Sequence, residues 1–173
     1  MQIIRTLVSA AGALALVLGV GCSSSSGHDP GAEVSFATDV MPIFQQSCAL
    51  AVCHGQANNA AVENLYLGDG TNNTPDVIAR VYEGIVGVPS LEDPTMSVVT
   101  ASSAAKSYLS FKLAGQQGQL SAQCAKAAAP CADCAEPTPC GSFMPFGGTV
   151  FSQESPAQFA TIQNWIAQGA KNN

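Results

Sequence analysis

Cys48-Ala49-Leu50-Ala51-Val52-Cys53-His54 places two thiols and an imidazole in one short run. Two cysteines with a histidine directly after the second are what covalent haem attachment needs. The thiols form thioethers with the two vinyl groups, and the adjoining ring nitrogen reaches the iron. Four residues separate the cysteines here, where the usual attachment motif has two. A second axial ligand closes the iron's coordination, and Phe143-Met144-Pro145-Phe146-Gly147-Gly148 offers the thioether of Met144 from a stiff loop rich in Gly and Pro. The competing reading of Cys48 and Cys53 is a small-loop disulfide, with His54 a surface or partly packed residue. Methionine is more often core filler than ligand, and it is the position of Met144 just before a terminal helix that singles it out. Met41, a turn or more ahead of the motif, and Met96, in a Pro-flanked turn, rank below it.

A second group of thiols, Cys124, Cys131, Cys134 and Cys140, has the spacing C-x6-C-x2-C-x5-C. Four close thiols suit zinc, an iron–sulfur cluster or disulfides; in an exported chain the oxidising compartment favours two disulfides, with three connectivities open. Ala135 follows Cys134, so this cluster is not a second haem site. His28 and His54 are the only histidines, which leaves no Ser/His/Asp set and no evident acid, base or nucleophile. An electron carrier is expected, not an enzyme.

The elements that must position these residues follow from apolar spacing. Phe36, Val40, Ile43 and Phe44 give one apolar face to a short helix that runs into Cys48, with Pro42 bending it or marking its first turn. From Gly55 to Thr74 the chain is rich in Asn and Gly, a loop with Leu65-Tyr66-Leu67 as its packed anchor. Thr74-Pro75 opens a helix to about Val86, with Val77, Ile78, Val81, Ile85 and Val86 apolar. Pro89 to Pro94 is a turn, and Ser107 to Leu113 is a short amphipathic helix stopped by Gly115. Ser155-Pro156-Ala157-Gln158 has a capping-box arrangement, and Phe159, Ile162, Trp165 and Ile166 then form one face up to Gly169. No strand signal competes, so the fold class is all-α with long loops.

The chain has 173 residues, 47% of them hydrophobic and 10% charged, enough for one domain with a core. Its N-terminus carries Arg5 and then an apolar run from Leu7 to Val20 ending at Gly21-Cys22. Such a run is a secretory signal peptide, too short to span a membrane. Residues 1–21 are therefore expected to be removed, which takes away one cation and moves the net charge from −6 to −7. Residues 22–33, small and polar with His28 among them, form a flexible tether. The acidic balance argues against a nucleic-acid partner, whose phosphates are bound mainly by Lys and Arg.

Two resemblances follow from these residues. Small residues before Cys22, with Ser23 to Ser26 and Gly27 after it, resemble a bacterial lipoprotein signal, in which Cys22 would carry lipid; ordinary cleavage would leave it a thiol or disulfide partner. Residues 34–173 resemble a class I cytochrome c domain, and more closely the cytochrome c-like modules of bacterial lipoproteins. The matching stretches are Phe36 to Phe44, then Cys48, Cys53, His54 and Gly55, Ser107-Tyr108-Leu109 with Lys112-Leu113, Met144-Pro145, Ile162 to Ile166, and Gly169-Ala170. A cysteine-rich insertion, residues 116–142, interrupts the likeness before the distal-ligand loop. The resemblance implies haem c held through Cys48 and Cys53, with His54 as proximal and Met144 as distal ligand. It implies too that the first and last helices pack across each other near Trp165. The expected function is a monohaem, lipid-anchored carrier of single electrons, exported and anchored in the outer membrane or facing the periplasm, with a redox protein as partner. The alternative is a haem-free surface lipoprotein that keeps the scaffold as a structural or binding module.

Overall fold

Ser35 starts the first helix: its hydroxyl accepts from the Thr38 N–H at 3.2 Å, and its own N–H donates to Asp39 at 2.8 Å. A computed structural model of the chain describes residues 31–59, 62, 64–120 and 140–173. The expected signal peptide, Cys22, His28 and the thiols Cys124, Cys131 and Cys134 lie outside those residues.

The first helix opens with a wide π-helical turn, Phe36–Val40, and continues as α1, Met41–Ser47, with Pro42 in its first turn. Its apolar spacing buries Phe36, Val40, Met41, Ile43 and Phe44. Helix α2, Pro75–Ile85, begins where proline fits without losing a hydrogen bond, and buries Val81 and Ile85. The chain then folds back on itself: Val98 N–H donates to Val88, Gly87 N–H to Val99, and Ser90 N–H to Met96. These contacts close the turn expected between Pro89 and Pro94, and among the described residues they amount to isolated bridges with no strand.

Helix α3, Tyr108–Ala114, ends at Gly115 in the left-handed conformation (φ 67°). A 3-10 turn, Gln117–Leu120, opens the expected insertion, and buried Cys140 lies near its other end. Two consecutive helices close the chain, α4, Phe151–Glu154, and α5, Pro156–Ala167. Here the sequence expectation needs correcting. Ser155 makes no side-chain cap on α5, and the Gln158 side chain donates to Gln46 (3.4 Å) instead of turning back. The cause is α4: Ser155 already ends that helix, with its N–H donating to Phe151.

The core joins the two ends of the domain. Trp165 is fully buried and stacks on Phe36 with ring centroids 5.0 Å apart and planes 26° apart, while Phe44 and Tyr82 meet Phe36 edge-on. Offset stacking and edge contacts suit the ring quadrupoles, and these large rings remove the most apolar area from water. The first and last helices therefore pack together, and the Trp165 indole N–H is satisfied by the Lys171 carbonyl at 2.9 Å. The described residues form an all-α fold.

Candidate functional site

Helix α1 stops one residue before the motif, and the following loop closes on itself. The N–H groups of Cys48 and Ala49 both donate to the Phe44 carbonyl, ending the helix. The Leu50 carbonyl accepts from Cys53 N–H (2.8 Å) and Gly55 N–H (3.0 Å), and His54 N–H donates back to Cys48 (3.2 Å). The wide spacing is thus taken up as an outward loop, with Leu50 53% and Val52 82% exposed, while Cys53 and His54 return to Cys48. Glycine is required at 55, because a Cβ there would lie 2.5 Å from the Ala49 oxygen and 2.8 Å from that of Leu50. The Asn59 amide holds the outer side by donating to the Cys53 carbonyl at 2.8 Å.

Cys48 and Cys53 are both free thiols and half-buried. Burial, with Cys53 beside it, pushes the Cys48 thiol up to about 12. The imidazole of His54 is buried, and its Nδ1 lies 2.9 Å from the Leu65 carbonyl oxygen. A carbonyl can only accept, so Nδ1 carries the proton and Nε2 keeps its lone pair. Burial lowers the His54 pKa most; the Leu65 bond and Glu92 oppose this, and Lys112 adds to it. The neutral ring is therefore favoured, which is the form a metal needs. The Leu65–Leu67 knot is the seat of this histidine, since Leu67 N–H also donates to the His54 carbonyl at 2.9 Å.

Met144 is half-buried against the core. Its N–H donates to the Lys112 carbonyl (3.1 Å), and its carbonyl accepts from Phe151 N–H (3.2 Å). The next residue, Pro145, lines a cleft of about 320 Å³ together with Gln46 and Ser47, so the loop reaches the end of α1 that leads into Cys48. A second cleft, about 230 Å³, lies between α3 and α5 at Phe111 and Phe159. Of the other thiols, Cys140 is buried and disulfide-bonded, in keeping with the expected disulfides.

Sequence reasoning missed a buried polar cluster beside the site. Lys112, only 6% exposed, pairs with Glu92 at 2.8 Å and donates to the Cys140 carbonyl at 3.2 Å. The Tyr108 hydroxyl lies within reach of the same carbonyl (2.6 Å) and of the Glu92 carboxylate. Tyr108 and Lys112 stand one helical turn apart, which was the available signal.

Comparisons with protein-family models, with curated proteins and with solved structures found no match. Among the described residues no three His, Cys, Asp or Glu side chains converge on one point. Two free thiols and, directly after the second, an imidazole whose neutral form is favoured stand together in the loop after α1.

Proposed function

We propose that this chain is a monohaem c-type cytochrome with a class I cytochrome c-like fold, a lipid-anchored carrier of single electrons. The observation that carries the reading is His54: a buried imidazole whose Nδ1 meets the Leu65 carbonyl, directly after two free thiols. Cys48 and Cys53 would hold the haem by thioethers, and His54 and Met144 would be the residues that bind its iron. Bound haem supplies the one-electron chemistry. The protein supplies orientation and dryness. The Leu65 carbonyl fixes the imidazole ring, hydrogen bonds at both sides of Met144 fix its backbone, and the aromatic core keeps water from one flank. The Met144 thioether and low polarity around it would favour the reduced form of a bound haem.

The proposal extends to export and lipid attachment through Cys22, with the domain anchored at the outer membrane or facing the periplasm. The acidic balance suits a redox partner with a basic patch. No helix among the described residues is long and apolar enough to cross a membrane.

One observation favours the second reading, a haem-free module. Neither cleft described above is lined by Cys48, Cys53 or His54. Visible absorbance separates the two. Protein made alongside a cytochrome-maturation system should be red, with the colour surviving denaturation; a colourless product with Cys48 joined to Cys53 would sink the electron-transfer reading.

A further inference from the structure

The segment that carries Met144 is held at two points by one residue of α3. The Lys112 backbone carbonyl accepts from Met144 N–H, while its ammonium donates to the Cys140 carbonyl at the start of the same segment. Tyr108, one turn earlier on α3, takes the other side of that carbonyl. Glu92, from the turn between α2 and α3, neutralises Lys112 and completes the cluster.

Two features show that the segment is shaped to this cluster. Cys140 and Gly141 are consecutive left-handed residues, φ 68° and 65°, a conformation that disfavours any side chain and persists where surroundings over-determine it. A Cβ on Gly141 would collide with the Glu92 carboxylate and lie 2.8 Å from the Lys112 ammonium, so the backbone lies directly on the charges. A buried ion pair adds little net stability, because desolvation offsets the attraction; its best-attested use is to fix one arrangement among several.

We propose that Tyr108, Glu92 and Lys112 are positioning residues for Met144, clamping residues 140–144 onto α3 so that the thioether is presented from one fixed place. This rests on the reading of Met144 as distal ligand. The contacts of the cluster run to the segment itself. It acts through the Cys140 carbonyl and the α3 backbone.

The test uses haem-free and haem-loaded protein. In the haem-free chain, hydrogen peroxide is applied and sulfoxide is followed by mass spectrometry at Met144, with fully buried Met41 as the internal control for global opening. Tyr108→Phe removes one hydroxyl and leaves the ion pair; Lys112→Met with Glu92→Gln removes both charges together, so no buried charge is orphaned. Losing one hydrogen bond to the segment should speed Met144 oxidation about fivefold, and losing the pair about tenfold or more, with Met41 unchanged. Met144 oxidising at the wild-type rate, or Met41 rising in parallel, would overturn the clamp. In loaded protein, Tyr108→Phe should lower the reduction potential by loosening the thioether, and an unchanged potential would count equally against it. Wild-type chain that never takes haem would sink the cytochrome reading, and the peroxide result would still decide the clamp.

Discussion

The Nδ1 atom of His54 lies 2.9 Å from the carbonyl oxygen of Leu65, eleven residues further along the chain. That contact fixes which ring nitrogen is free, and it binds the loop after the motif to the motif itself. It also has a pH consequence. Burial holds the His54 pKa below its ordinary value of 6.5, so the unfolded chain takes up a proton more readily than the folded one. This contribution to stability is complete above 6.5 and is lost as pH falls through and below it. Urea midpoints of haem-free protein should drop between about pH 7.5 and about pH 5, and drop less in His54→Gln. Equal drops in the two proteins would show that the buried imidazole is not the cause.

The burial of Cys48 predicts a low reactivity for that thiol. A thiolate attacks an alkylating agent and a thiol does not, so Cys48, pushed up to about 12, should be nearly inert at neutral pH. Iodoacetamide on native, haem-free protein should label Cys53 well before Cys48, read by peptide mass spectrometry. Equal labelling would mean that Cys48 is not enclosed.

Gly141 and Gly70 separate crowding from backbone strain. Both have positive φ, 65° and 75°, but nothing lies within 4 Å of a Cβ on Gly70, whereas one on Gly141 meets Glu92 and Lys112. Gly70→Ala should cost about 1 kcal/mol, the strain alone. Gly141→Ala should cost roughly 2–4 kcal/mol, because the charged cluster must move too. Denaturant unfolding of the two variants measures the difference, and equal costs would remove the cluster from the account.

Trp165 is the largest fully buried side chain, stacked on Phe36. Trp165→Ala should destabilise the fold by about 3–5 kcal/mol, seen by circular dichroism during chemical unfolding. A loss under about 1 kcal/mol would mean that the joint between the first and last helices is not central to stability.

Much of the scaffold was legible because apolar spacing is a local signal. Phe36, Val40 and Phe44 marked the first helix, Thr74-Pro75 the start of α2, Gly115 the end of α3, and Trp165 the core. What escaped was set by tertiary contact. The apparent capping box at Ser155 failed because α4 had already used that residue as its end. The outward loop from Cys48 to Cys53 depends on the Leu50 carbonyl accepting twice, which no spacing displays. The burial of Lys112 was not legible either, because Glu92, which pairs with it, arrives from a turn twenty residues earlier. The His54 seat was half visible: Leu65-Tyr66-Leu67 was an apolar anchor in a polar loop, but what it anchored was not.

The mass of the mature protein tests the central claim most directly. Co-expressed with a cytochrome-maturation system, then denatured and reduced, the chain should be heavier by one haem, with the added mass on the peptide holding Cys48, Cys53 and His54. An unmodified mass, with both thiols recovered free or joined to each other, would contradict the account and leave a haem-free helical module.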